Sequence, residues 1–219
     1  MGISIRSGVG LICLNLRFGI EKESIKIYLF WRCPIKYYFT SDLHLGHQNI
    51  IRYSSRPFTC VEHMNEVLIT NWNKRVQEGD IVFHIGDFCF KNSAGGKPGE
   101  GLTYKAKEYE EQLNGTIIHI KGNHDKNNSI KTIVESIVIK YGPHYINCVH
   151  IPENYSDAYK INFVGHVHEK WAFKREESYY PEHRYTDLIN VGVDVNNFEP
   201  KTFEELYSKY KRWIKTGCK

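Results

Sequence analysis

Apolar residues recur along this chain in two alternating rhythms. Short runs rich in β-branched and aromatic residues at 35–40 (IKYYFT), 80–85 (DIVFHI), 116–121 (TIIHIK), 145–149 (YINCV) and 160–164 (KINFV) predict buried strands, with a sixth over 187–195 (DLINVGVDV). Helical spacing lies between them. Val61, Met64, Val67, Leu68, Trp72 and Val76 share one face of a predicted helix that stops at Gly79. Weaker patterns predict helices over 103–113 and 129–138. Phe203, Leu206, Tyr207, Tyr210 and Trp213 predict a last one, preceded by Pro200 and opened by a Thr202 cap with Glu205 three residues on. Strands alternating with helices imply an α/β layered domain. The organised pattern starts near Ile35, so residues 1–34 read as an N-terminal extension and 35–219 as the domain.

Composition narrows the class without naming a function. The 219 residues are 41% hydrophobic and 25% charged, which excludes disordered and fibrous chains. A net charge of +4 tolerates a phosphorylated substrate but does not predict nucleic-acid binding. Cys13, Cys33, Cys60, Cys89, Cys148 and Cys218 form no CxxC pair, so they read as free thiols in a reducing compartment. The apolar stretch at 9–16 is interrupted by Arg17 and lacks a small-residue cleavage site, and no apolar run approaches a membrane span. A cytoplasmic protein is the expectation. The Gly-rich segment 93–101 reads as a flexible loop and lacks P-loop spacing.

The informative residues follow the strands. The first strand ends in Ser41-Asp42-Leu43-His44, the second in Gly86-Asp87 and the third in Gly122-Asn123-His124-Asp125. The fourth ends at His150, the fifth in Gly165-His166-Val167-His168. Open α/β sheets place their binding sites at such carboxyl ends. Asp42/His44 and His166/His168 are i, i+2 pairs, which an extended backbone would point the same way. A mixed N/O donor set without thiolate suits Mn, Fe or Zn better than a structural zinc site. His84 and His119 stand inside strands and read as packed or edge histidines. Each motif alone is weak; five in series are not.

In order and spacing, these motifs resemble those of calcineurin-like metallophosphoesterases, in particular the small bacterial and phage branch, over residues 36 to 200. The flanking stretches SDLHLGHQNIIRYSSRPF and INVGVDVNNFEP carry the same likeness. The resemblance implies a four-layer α-β-β-α sandwich of two mixed sheets flanked by helices. It implies two divalent cations, Mn first and Fe, Zn, Ni or Co as alternatives. Asp42, His44 and His168 would hold one, Asn123, His150 and His166 the other, with Asp87 bridging. His124 would stand outside the metal shell to stabilise the transition state or protonate the leaving oxygen, and Asp125 would orient it. Two cations ~3.5–4 Å apart lower the pKa of a shared water enough to supply hydroxide for in-line attack near neutral pH.

Substrate signals are thinner. The stretches GDFCFKN and KGNHDK differ from the protein-phosphatase forms of these motifs, which leaves a phosphodiester, of a nucleotide, a nucleic acid or a similar small molecule, as the expected substrate. A phosphomonoesterase and a non-catalytic metal-binding scaffold are the alternatives, and the retained ligand types argue against the scaffold. The segment 169–187 carries Trp171, Phe173, Tyr179, Tyr180 and Tyr185 among cations, a pattern able to stack on bases, yet its four glutamates favour an ordinary surface excursion. Arg52, Arg56 and Lys121 lie beside the motifs, in reach of phosphate, although arginines near loops are more often solvated.

Overall fold

The structure, a computed structural model, describes residues 35–90, 101–125, 130, 132 and 134–217 with their side chains, and the backbone alone of 3–7, 10–21 and 24–31. The chain divides into two compact units, 1–35 and 36–219. In the first, β1 (Ile3–Ser7), β2 (Gly10–Glu21) and β3 (Ser24–Trp31) pair antiparallel in chain order.

The second unit is built on two mixed sheets. In one, β4 (Tyr37–Thr40), β5 (Ile81–Ile85) and β6 (Thr116–Ile120) run parallel. In the other, β7 (Ser136–Tyr141), β8 (His144–Val149), β9 (Ile161–Val164), β10 (Phe173–Glu177) and β11 (Tyr185–Asn190) lie in the order β10-β11-β9-β8-β7. Its three central strands are parallel and its two outer strands antiparallel. The short β12 (Lys201–Thr202) closes the first sheet antiparallel to β4. Parallel strands buried on both faces need continuous apolar runs, which is why these segments do not alternate. Phe39, Phe83, Ile85 and Ile120 of the first sheet meet Ile146, Cys148, Ile161, Phe163 and Ile189 of the second in one core.

The helices follow from the same logic. α1 (Gln48–Tyr53), α2 (Val61–Arg75) and α3 (Ala106–Glu110) cover the outer face of the first sheet, where Ile50, Met64, Leu68, Trp72 and Tyr109 pack with Tyr38 and Val82. The indole N–H of Trp72 donates to the Asn114 carbonyl at 2.9 Å, so its burial leaves no orphan donor. α4 (Phe203–Lys215) adds Phe203, Leu206 and Tyr210 to the inter-sheet core and starts with the expected capping box, Thr202 with Glu205. The outer face of the second sheet carries Val149, Val164 and Leu188 under Tyr155 and Trp171. No helix among the described residues is long and apolar enough to cross a membrane.

Some expectations change. The helix expected over 129–138 is not formed from 136 on: those residues open β7, whose half-buried Ile137 and Ile139 alternate with exposed neighbours at strand period. Residues 129, 131 and 133 lie outside the described set, as do 93–100 of the Gly-rich loop. The helix expected over 103–113 shortens to α3. The strand expected over 187–195 ends at Asn190, and a 3-10 turn follows at Val193–Val195. Within the expected excursion 169–187, residues 173–177 and 185–187 are strand: β10 pairs with β11, Phe173 stacks on Trp213 at 5.4 Å, and Arg175 pairs with Asp187 at 2.6 Å. Tyr179 alone of its aromatics stands almost fully exposed, at 92%.

Candidate metal centre

The carboxyl ends of β4, β5, β6, β8 and β9 deliver their polar residues to one place. Donor atoms of Asp42, His44 and His168 lie within 4.8 Å of one another, and those of Asp87, His150 and His166 form a second such group. Asp87 stands between the two. Its Oδ2 is 3.5 Å from His44 Nε2 and 3.3 Å from His150 Nε2. Asn123 Oδ1 lies 3.0 Å from His150 Nε2, which brings the third strand's residue to the second group. His144, a nearby histidine, instead opens β8 and packs on Phe203 and Tyr207.

Local backbone conformation makes this convergence. Asp42, His44, Asp87, His166 and His168 all have positive φ, between 49° and 71°. Non-glycine residues seldom adopt the left-handed region, and such strain concentrates at functional sites. The i, i+2 pairs therefore meet through tight left-handed turns and not through the extended backbone that the sequence suggests. The turns are stitched together. Asp42 N donates to Gly86 O at 3.0 Å and His44 N to Asp87 O at 3.1 Å. His166 N donates to both Asp42 carboxylate oxygens at 3.0 Å. Gly122 approaches Asp87 so closely that a Cβ there would overlap its carboxylate and amide.

Asp125 belongs to this stitching. Its carboxylate accepts from Gly122 N, Asp87 N and Phe88 N at 2.7, 3.0 and 3.1 Å, which ties the turn after β6 to the turn after β5. His124, exposed at the mouth, has its ring 5.6 Å from that of His44, and its backbone N–H donates to Asp87 Oδ1 at 2.9 Å.

Burial and close neighbours shift most of the groups in this cluster. Burial, then the Arg56 charge, holds His44 well below the usual histidine range, so its imidazole is neutral. Its Nε2 is buried without a hydrogen-bond partner, 3.5 Å from Asp87 Oδ2, in a residue of the first donor group. A buried orphan acceptor among carboxylates is costly unless a ligand satisfies it. That orphan, with the carboxylate and imidazole donors around it, fits divalent metal ions. Burial pushes the Asp42 carboxyl up, against the nearby histidines. Burial would lower His150, but its hydrogen bond to Asp87 and the charges of Asp42 and Asp87 raise it to about 9. Asp87 moves the opposite way: burial opposes ionisation, and His150 and His124 overcome it.

Residues not singled out from sequence also sit here. His47 stacks on Phe90 at 4.5 Å with its ring 5.5 Å from that of His44, and burial followed by the neighbouring cationic groups lowers it to about 4. Asp194 Oδ2 lies 2.9 Å from His168 Nδ1. Arg56 is fully buried against Asp194, so the expectation of a solvated or phosphate-touching arginine fails there. Arg52 is exposed, 5.4 Å above the Tyr53 ring, and Lys121 pairs with Glu135 at 3.1 Å. His84 is buried with both ring nitrogens unpartnered and His119 bonds Glu110 at 2.7 Å, both packed in the sheet as expected.

No protein-family model matches the chain. Over 173 residues, 77% of this chain and 88% of the relative, it is 38% identical to the uncharacterized protein MJ1445 of Methanocaldococcus jannaschii. A protein of unknown function from Aquifex aeolicus, AQ665, superposes with a TM-score of 0.58 at 25% identity, over 80% of this chain and 99% of that one. An uncharacterized protein of Streptococcus pneumoniae, described as a predicted phosphoesterase, matches 72% of each chain at 18% identity with a TM-score of 0.36.

Proposed function

We propose that the chain is a calcineurin-like metallophosphoesterase that hydrolyses a phosphate ester, a diester in preference to a monoester, with two divalent cations at the strand ends. The observation that carries this reading is the pair of donor groups joined through Asp87, with the unpartnered Nε2 of His44, a residue of one of them. Asp42, His44 and His168 would hold one ion. Asn123, His150 and His166 would hold the other, and Asp87 would serve both. Bound there, the ions supply Lewis-acid activation of water and charge stabilisation at the phosphoryl oxygens.

The chain's own residues supply position and a proton. The buried carboxylates of Asp42 and Asp87 offset the ions' charge, and the stitched turns hold their oxygens in place before any ligand arrives. His124 stands at the open side of the site, where its imidazole can give a proton to the departing oxygen while its main chain stays tied to Asp87. The half-buried His166 and His168 and the exposed Asn123 form the rest of the rim. The mild positive net charge of the chain favours an anionic ester. Mn is the working choice of metal, and nucleotides or nucleic acids the substrates to search first.

The test is hydrolysis of bis(p-nitrophenyl) phosphate against p-nitrophenyl phosphate by protein stripped of metal and resupplied with Mn²⁺. Metal-restored cleavage favouring the diester supports the proposal. Two bound ions with no cleavage of either ester, or of a nucleotide panel, would turn the reading toward a metal-binding scaffold.

A further inference from the structure

Behind the first donor group lies a buried ion pair that the proposed chemistry does not use directly. The Arg56 side chain is 0% exposed and that of Asp194 2%. Arg56 Nε donates to Asp194 Oδ1 at 2.8 Å, and Nη2 to Asp194 Oδ2 at 3.0 Å. Nη2 also donates to the Asp42 carbonyl at 2.6 Å, and Nη1 to the Leu43 carbonyl at 3.0 Å and Met64 Sδ at 3.4 Å. A guanidinium has five N–H donors, and these contacts use all five. None remains for a phosphate.

The contacts converge on one donor group. The two carbonyls belong to the left-handed turn that presents Asp42 and His44. Through Asp194, the same guanidinium reaches His168, whose Nδ1 lies 2.9 Å from Asp194 Oδ2. A carboxylate at Nδ1 fixes the ring's orientation and leaves Nε2 as the lone-pair donor, and it makes the imidazole a stronger ligand. The second group is held differently. His150 Nδ1 is 2.7 Å from the neutral Ile85 carbonyl.

We infer that Arg56 and Asp194 are positioning residues for the Asp42–His44–His168 cation site, one buried pair orienting all three of its ligands, so that this site binds its ion through a support the second site lacks. The inference rests on the two-cation reading proposed above. Lysine cannot replace Arg56, because an ammonium cannot span a carboxylate and two carbonyls in one plane.

The experiment is calorimetric titration of metal-free protein with Mn²⁺, with bound metal counted after dialysis. Asp194→Asn should weaken one of two sites by about 10–100-fold, the usual cost of losing such an outer partner, and leave the other nearly unchanged. A double-mutant cycle assigns the site. The Asp194→Asn effect should shrink in a His168→Ala background and persist in full in a His166→Ala background. Removing one charge of a buried pair can prevent folding, whereas removing both is commonly tolerated. The Arg56→Met/Asp194→Leu double variant therefore repeats the measurement, with the same selective loss expected. Equal loss at both sites, an undiminished effect without His168, or unchanged binding in the double variant would overturn the inference while the two-cation site stands. Wild type that takes up no Mn²⁺ would overturn the site itself and the inference with it.

Discussion

Asp87 divides its two oxygens between two tasks. Oδ1 accepts the His124 main-chain N–H, and Oδ2 lies between His44 and His150. Asp87→Asn keeps the shape but removes the charge and can turn a donor toward those imidazoles. Turnover should be abolished and bound metal lowered, read by the Mn²⁺-dependent assay and metal analysis; full activity would refute a shared ligand. His124→Ala touches only the exposed ring. It should bind metal normally and turn over about 10²–10⁴-fold more slowly, the usual contribution of a positioned acid. Gly86 makes a different kind of prediction. Its φ is +85°, and a Cβ there would overlap the His150 ring. Gly86→Ala should therefore lower both the melting temperature and the metal content, and an unchanged metal content would show that His150 can move aside. Candidate ligands are readable from sequence because each follows an apolar run directly. Arg56 and Asp194 are not, since their partnership spans 138 positions and Asp194 sits in a stretch patterned like a strand. His47 is hidden for a related reason: its place beside His44 comes from a turn, which no periodicity announces.

The parallel strands are the most legible elements of the unit 36–219, because burial on both faces demands unbroken apolar runs. β7 and β10 escape notice because each is an outer strand with one wet side. Ile137 and Ile139 alternate with exposed residues, and β10 carries Lys174, Arg175 and Glu176. Five or six residues of that kind read as loop or as a weak helix until their partners are known. α4 is legible at its start, since a cap is a local event. Thr202 Oγ1 accepts from Glu205 N, and the Glu205 carboxylate accepts from Thr202 N at 2.9 Å while pairing with Arg75 at 2.5 Å. Thr202→Ala should cost about 1 kcal/mol, seen as a lower melting temperature. The pH dependence has a definite sign. Burial pushes the Glu205 carboxyl up, but the Thr202 N–H and Arg75 outweigh it and the group ends below its usual range. Its contribution is present above the unfolded-state carboxylate range and is lost as pH falls through the depressed folded value. The destabilisation by Glu205→Gln should therefore shrink on acidification, and a constant difference from neutral to acid pH would refute it.

At the scale of the whole chain, the candidate ligands and the side chains that bond them among the described residues, from Ser41 to Asp194, fall inside the unit 36–219. The first residue of that unit already belongs to its sheet. Lys36 N donates to Asp80 Oδ1 at 2.9 Å, and its carbonyl accepts from Ile81 N at 3.0 Å. A cut after residue 34 spares both bonds, whereas a cut a few residues later would strip β4 of its entry. The three described strands of 1–35 pair with one another in a sheet of their own. Removing residues 1–34 should therefore leave the melting temperature, the Mn²⁺ stoichiometry and the hydrolysis of the diester unchanged. Starting the chain at Tyr38 instead should destabilise it, because the Asp80 carboxylate loses the Lys36 N–H while keeping that of Gln77 at 2.9 Å. If the shorter cut abolished folding, the segment 1–34 would belong to the folding unit of residues 36–219. If folding survived but diester hydrolysis alone fell, that segment would have to act on the substrate, and the domain boundary at residue 35 would no longer be a functional one.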